Sequence, residues 1–125
     1  MPKNKKIVAA VEDLFFVVKI NDLAKRAGFT PEFIKTQDAI VERVIAEPPA
    51  LLIVDLNNAA VDAVGLISRV KAIPEAKSTS VIGFVSHIEA ELKQRAQEAG
   101  ANMVLARSAF STNLPQILKR HAGSL

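Results

Sequence analysis

The chain has 125 residues, of which 50% are hydrophobic and 23% are charged, and its formal net charge is +3. This length and hydrophobic content are those of one ordinary domain, so we expect residues 1–125 to form a single domain. The sequence contains no cysteine, which excludes thiol catalysis, cysteine metal sites and a disulfide framework.

The first half of the chain predicts two strand–helix units. An apolar, β-branched run predicts a strand at Lys6–Val11. A helix over Leu14–Ala27 follows, and its inward stripe has helical spacing: Phe16, Ile20, Leu23, Ala24 and Ala27. Glu32–Lys35 is the weakest predicted strand, and Pro31 at its entrance indicates an edge position. The second helix is predicted over Gln37–Glu47, with four inward-facing residues: Ile40, Val41, Val44 and Ile45.

The second half of the chain predicts three more such units. Apolar runs predict strands at Leu51–Leu56, Val81–Val85 and Asn102–Ala106. Helical periodicity predicts helices at Val61–Ala72, Ile88–Ala99 and Asn113–Arg120. Pro115 then falls in the first turn of the last helix, where proline is tolerated.

The strict alternation of five strands and five helices predicts an α/β fold. Strands that alternate with helices form right-handed crossovers and a parallel sheet with helices on both faces. An edge position for the second strand favours a doubly wound sheet in the flavodoxin-like strand order 2-1-3-4-5. In that order the carboxyl ends of the first and third strands meet at the point where ligands bind.

Polar side chains follow four of the predicted strands at this edge of the sheet. Glu12 and Asp13 come after the first strand, and Asp55 comes at the end of the third. Carboxylates without a basic partner repel each other, and clusters of hard oxygen ligands select Mg²⁺ or Mn²⁺. Ser86 and Arg107 follow the fourth and fifth strands. A carboxylate, a hydroxyl, a metal and a fixed cation are the parts needed to hold a phosphoryl group.

On these residues the chain resembles the response-regulator receiver domain (CheY-like) over nearly its full length. The matching pieces are the acids after the first strand, the segment LLIVDLNN, Ser86, and the segment LAR that ends at Arg107. The resemblance implies a phosphorylation switch of two-component signalling and no metabolic enzyme activity. Its implied partners are proteins: a histidine kinase, a phosphotransfer protein or a downstream effector.

The resemblance also assigns roles to the acidic residues and to Asn57. Asp55 is the phospho-acceptor. The Mg²⁺ ligands are Glu12, Asp55 and the backbone carbonyl of Asn57, with Asp13 as a further candidate. The residues alone leave other roles open. Glu12 is also suited to be a first-turn helix acid, Asp13 a helix N-cap, and Asp55 the start of an Asx turn.

Ser86 and Arg107 receive roles in the same way. Ser86 is the switch hydroxyl, and its alternative role is a cap for the fourth helix. Arg107 stands where the family has a lysine, as the partner of the phosphate or of the acceptor. Because arginine is a planar fork, it can also pair with Asp55 through two bonds at rest.

The sequence departs from the family pattern at the expected site. Val11 stands where the family carries the first of two acids, and Val104 stands at its aromatic switch position on the fifth strand. His87 follows Ser86, where the family prefers a small residue, and is a candidate gate to Asp55. These departures support a second hypothesis, a pseudo-receiver that acts as a phosphorylation-independent protein-interaction module.

Two apolar residues of the first helix lie off its inward stripe. Phe15 and Val18 are therefore candidates for exposure and for partner docking. The alternative is a helix with a wider buried face.

Other classes of partner are disfavoured. A flavodoxin-like nucleotide binder would need a phosphate-cradling loop, and no loop after a strand is rich enough in glycine, serine or threonine. Nucleic acid is an unlikely partner because the chain has six Phe, no Tyr and no Trp for base stacking. No apolar run reaches the ~20 residues of a membrane-spanning helix, and the start does not match a signal peptide. We therefore expect a cytoplasmic protein without a membrane partner.

Overall fold

The computed structural model describes residues 5–58, 61–86 and 89–123, the last three of these by their backbone alone. The described residues form a five-stranded parallel sheet in the order β2-β1-β3-β4-β5. The strands are β1 (Lys6–Ala10), β2 (Thr30–Phe33), β3 (Leu51–Asp55), β4 (Ser80–Val85) and β5 (Met103–Ala106). The predicted α/β fold, its strand order and the edge position of β2 are confirmed.

Five helices alternate with these strands. They are α1 (Leu14–Arg26), α2 (Gln37–Ala46), α3 (Ala63–Lys71), α4 (Ala90–Ala99) and α5 (Arg107–Gly123), and one 3₁₀ turn, Pro74–Ala76, follows α3. The predicted bounds of α1 to α3 agree with these to within two residues. The predicted start of α4 at Ile88 lies outside the described residues. Among the described residues, no helix combines the length and the apolar character needed to span a bilayer.

The prediction for the start of α5 is wrong. The helix begins at Arg107 rather than at Asn113, so Pro115 lies in its interior and not in its first turn. The buried stripe explains the longer helix, because it starts one turn earlier than the predicted one and keeps the spacing i, i+4, i+7, i+8: Phe110, Leu114, Ile117 and Leu118. Pro115 is exposed and lies outside that stripe.

Side chains cap three of the helices at their N-termini. Asp13 precedes α1, Thr36 precedes α2 and Asp62 precedes α3, and each side-chain oxygen accepts a hydrogen bond from a backbone N–H of the first turn. Such caps satisfy donors that the helix itself leaves unpaired. Asp13 therefore has the N-cap position that the sequence analysis offered as its alternative role.

The core lies on both faces of the sheet. On one face α1 and α5 pack against alternate strand residues, and their buried members include Phe16, Ile20, Phe110 and Leu114. On the other face α2, α3 and α4 pack against the remaining strand residues, and their buried members include Ile40, Val44, Leu66, Ile67 and Ala96. All five residues of β3 are buried. The site at the end of β3 therefore rests on the most enclosed strand of the sheet.

One predicted core residue lies outside this core. Ile45 was expected to face inward, but 53% of it is exposed. It lies in the last turn of α2, and the residue after that helix, Glu47, forms ion pairs with Lys6 and Arg43. This end of α2 belongs to a solvated charged rim, so its last apolar residue faces water.

Candidate functional site

Asp55 is the last residue of β3 and lies at the carboxyl edge of the sheet. In register it faces Phe84 of β4, and the preceding residue faces Ala10 at the end of β1. Only 6% of Asp55 is exposed. The fold therefore places a nearly buried carboxylate where the three central strands end, which is where ligands bind in open parallel sheets.

The surroundings of Asp55 raise the pKa of its carboxyl group. Burial is the largest cause, because it disfavours the charged form. The backbone N–H of Asn57 opposes this by donating to Oδ1 at 2.9 Å, and the positive charge of Arg107 opposes it further, while Asp13 adds to the rise. Asp55 thus starts an Asx turn with one oxygen. Its Oδ2 accepts no hydrogen bond from a described residue, which leaves it for another partner.

The side chain of Asn57 joins the ends of β3 and β4. Its Oδ1 accepts hydrogen bonds from the backbone N–H of Ser86 at 2.7 Å and from the Ser86 hydroxyl at 3.0 Å. The alternative role of Ser86 as a cap of α4 is wrong, because that helix starts at Ala90 with Glu89 at its N-cap position. The sequence analysis predicted a role only for the backbone carbonyl of Asn57. The two consecutive asparagines that follow Asp55 and Leu56 were the sequence signal that a polar side chain makes a contact here.

Arg107 is the first residue of α5 and binds Asp13 rather than Asp55. Its Nη2 donates to Asp13 Oδ2 at 2.9 Å, and its guanidinium carbon lies 4.9 Å from the centre of the Phe16 ring. Among the described residues, the two-bond pairing of Arg107 with Asp55 is therefore not formed. Asp13 is far more exposed than Asp55, so pairing there removes less water from the two charges.

The predicted metal ligands have suitable chemistry but are not gathered. Carboxylates and a backbone carbonyl are the hard oxygen ligands that Mg²⁺ prefers. Asp13, however, uses Oδ1 to cap α1 and Oδ2 to bind Arg107. Glu12 is exposed and is not among the charges that shift the Asp55 pKa. Within residues 5–58, 61–86 and 89–123 no three acidic, histidine or cysteine side chains are grouped to hold an ion.

Of the three remaining departures from the family pattern, the structure describes Val11 and Val104. Val11 is buried in the core on the α1 face of the sheet, and Val104 is buried in the core on the other face. His87, the candidate gate, lies outside the described residues.

An open pocket of about 550 Å³ lies between the N-terminal ends of α1 and α5. The pocket is lined by one ion pair, two aromatic rings and three hydroxyl groups: Asp13 and Arg107, Phe15 and Phe16, and Ser86, Ser108 and Ser111. Phe16 of this lining belongs to an aromatic cluster in which Phe84 stacks on Phe110 at 4.5 Å and lies 5.0 Å from Phe16. The Asp13–Arg107 pair thus forms one wall of a solvent-accessible pocket, whose lining does not include Asp55.

Three apolar side chains at the start of α1 are exposed. Phe15 is 65% and Val18 is 66% exposed, so the alternative of a wider buried face is wrong. Leu14 is 77% exposed and was not singled out, although it lies one turn before Val18 on the same side of the helix. These three residues are called the α1 apolar patch.

No protein-family model matches the chain, and no curated protein matches it by sequence. Solved structures do resemble it. A putative response regulator from Chloroflexus aurantiacus has a TM-score of 0.82 at 20% identity, over 97% of this chain and 99% of that one. A CheY-like receiver domain protein from Methanospirillum hungatei has a TM-score of 0.82 at 14% identity, over 97% and 95%.

A third similar structure carries a metal. It is the receiver domain of a sensor histidine kinase from Pseudomonas aeruginosa, with a magnesium ion coordinated in its active-site cleft. Its TM-score is 0.81 at 16% identity, over 97% of this chain and 99% of that one. These likenesses define the class of the fold: the chain has the fold of response-regulator receiver domains over nearly all of its length. The resemblance predicted from the sequence is confirmed at the level of the fold.

Proposed function

We propose that this chain is a receiver of two-component signalling that accepts a phosphoryl group on Asp55. The observation that carries the proposal is the Asp55 carboxylate itself, which is nearly buried at the carboxyl end of a central strand. One of its oxygens has no hydrogen-bond partner among the described residues, the positive charge of Arg107 acts on it, and the Ser86 hydroxyl binds the neighbouring Asn57. A buried carboxylate whose pKa is raised despite these partners is costly to the fold, so a functional role accounts for it.

The proposed reaction transfers a phosphoryl group from a phosphohistidine or an acyl phosphate. An oxygen of ionised Asp55 forms the new bond to phosphorus, while the P–N or P–O bond of the donor breaks and its electron pair leaves with the donor. Burial, which raises the pKa of Asp55, also makes its ionised form more basic and less solvated. Ser86 and Arg107 are the residues that would donate hydrogen bonds to the phosphoryl oxygens.

Glu12, Asp55 and the carbonyl of Asn57 are the residues that would hold Mg²⁺, with Asp13 as a further candidate. A bound Mg²⁺ would neutralise negative charge on the phosphoryl oxygens. The magnesium ion in the Pseudomonas receiver domain and the hard oxygen ligands of this chain support that part of the proposal.

The test is the intact mass of the protein after incubation with acetyl phosphate, with and without Mg²⁺. We expect one phosphate adduct in the wild type that requires Mg²⁺, and none in Asp55→Asn. Asp62→Asn is the matched control, because Asp62 is an exposed helix cap whose role asparagine preserves. An adduct in Asp55→Asn, or a folded wild type that forms none, would contradict the proposal.

The α1 apolar patch favours a second candidate function, phosphorylation-independent binding of a protein partner. Three exposed large apolar side chains within five residues of one helix are unusual on a solvated surface and are typical of an interface. The patch borders the pocket through Phe15. The partner classes are those of two-component systems: a histidine kinase, a phosphotransfer protein or an effector.

Charge placed in the patch should abolish such binding. We expect Phe15→Asp and Val18→Asp to lose the same cross-linked partner in cell extract, because each buries a charge in an apolar contact. Ile45→Asp is the control, since Ile45 is another exposed apolar residue on a different helix. Equal cross-linking by all three variants and the wild type would exclude the patch as the interface.

A further inference from the structure

The ion pair between Asp13 and Arg107 connects two helices that are distant in the chain. Asp13 is the N-cap of α1, Arg107 is the first residue of α5, and the two are separated by 94 positions. Both side chains are a little more than one third exposed. The guanidinium also lies over the ring of Phe16 from α1. The contact thus fixes the starts of both helices relative to each other across the pocket.

This resting contact leaves Arg107 poorly satisfied. Only Nη2 binds Asp13, while the neighbouring Nε is buried and has no hydrogen-bond partner among the described residues. A buried donor without a partner costs free energy. In addition, Arg107 places a positive charge at the N-terminal end of α5, where the helix dipole disfavours cations. The Nε and Nη2 edge of Arg107 can therefore still bind an anion that has two acceptor oxygens.

A phosphoryl group on Asp55 would be such an anion. Asp55 is already coupled electrostatically to both members of the pair: Arg107 lowers the pKa of Asp55 and Asp13 raises it. Phosphorylation adds negative charge and acceptor oxygens at this position. The same guanidinium edge cannot serve Asp13 and the phosphoryl group fully at once, so the two compete.

We propose that the Asp13–Arg107 pair is an autoinhibitory latch that opens when Asp55 is loaded. The inference rests on the proposed function of Asp55. Closed, the latch keeps Arg107 from the acceptor and holds the start of α1 against the start of α5. Open, it releases the start of α1, beside which Leu14 and Phe15 of the exposed α1 apolar patch lie. Loading of Asp55 is thereby linked to the exposed surface of α1.

The test measures the affinity of the full chain for beryllofluoride with Mg²⁺, a stable mimic of the phosphoryl group, by NMR titration. Asp13→Asn keeps the helix cap, because asparagine caps as well as aspartate, but it removes the charge that holds Arg107. Because Asp13 is also a candidate Mg²⁺ ligand, the effect of Asp13→Asn is compared in two backgrounds, the wild type and Arg107→Gln. We expect Asp13→Asn to change the affinity about fivefold or more in favour of binding in the wild-type background relative to the Arg107→Gln background, the lower end for coupled sites. Asp22→Asn is the control, since it removes the same charge from an exposed ion pair with Arg26 on the same helix.

A double-mutant cycle separates the latch from a simple charge effect. In Arg107→Gln no guanidinium remains to be released, so Asp13→Asn changes binding there only through its charge and its Mg²⁺-binding oxygens. The same effect of Asp13→Asn in both backgrounds would overturn the latch and, with beryllofluoride still bound by the wild type, leave the proposed function standing. No binding by the wild type or by Asp13→Asn would overturn both, and binding by Asp13→Asn alone would support both.

Discussion

The variant Asp55→Asn is expected to be more stable than the wild type at pH 7, by on the order of 1 kcal/mol in the free energy of unfolding. Burial raises the pKa of Asp55, so the folded protein at this pH holds an unfavourable buried charge. Asparagine has no charge, and its side-chain oxygen can still accept the hydrogen bond from the N–H of Asn57.

The direction of the Asp55 pKa shift determines how the stability advantage of Asp55→Asn depends on pH. When folding raises the pKa of a carboxyl group, the protonated group favours the folded state. That contribution to stability is present below the pKa of the unfolded chain and is lost as the pH rises through the pKa of the folded protein. The advantage of Asp55→Asn should therefore be largest at neutral pH and shrink as the pH falls towards about 4, near the ordinary pKa of aspartate. Chemical denaturation at both pH values measures it, with Asp62→Asn as the exposed control. A destabilised Asp55→Asn, or an advantage that grows on acidification, would contradict this account of Asp55.

The variant Phe84→Ala is expected to lose about 3–5 kcal/mol of the free energy of unfolding. Phe84 is fully buried, stacks on Phe110 at 4.5 Å and contacts Phe16 at 5.0 Å between ring centres. Truncation would remove this apolar burial and leave a cavity against Phe16, which lines the pocket. Total stabilities of 5–15 kcal/mol are typical, so the loss is a large fraction of what holds the fold together.

Two further variants keep the Phe84 prediction testable. Phe84→Leu should lose less of the free energy of unfolding than Phe84→Ala, because leucine fills part of the cavity. This variant is also expected to stay folded. Phe15→Ala removes an exposed ring from the same pocket and should cost less than about 1 kcal/mol. Urea denaturation of all three compares them directly. A cost for Phe84→Ala as small as that for Phe15→Ala would mean that the aromatic cluster does not support the site.

The sequence predicted the fold well because its information is periodic and local. Five apolar runs alternate with amphipathic stretches, and only a doubly wound parallel sheet buries all of them. The start of α5 was missed because its first turn, Arg107 to Phe110, carries a single apolar core residue. Ile45 was misplaced because helical periodicity does not show where a helix passes beyond the core.

The site was predictable only as far as topology determines it. Residues that follow parallel strands meet at the carboxyl edge of the sheet, which predicts that Asp55, Ser86 and Arg107 share that edge. The structure places them there. Which side chains pair at that edge depends on rotamers and on desolvation. The bonds from Arg107 to Asp13 and from Ser86 to Asn57 therefore do not follow from the sequence pattern and are seen only in the structure.

The central claim is that Asp55 accepts a phosphoryl group, and borohydride trapping tests it most directly. Borohydride reduces an aspartyl phosphate to homoserine, which peptide mass spectrometry locates in the chain. After incubation with acetyl phosphate and Mg²⁺, we predict homoserine at position 55 and at no other acidic position. Homoserine at position 13 in its place, or none in a folded protein, would contradict the account.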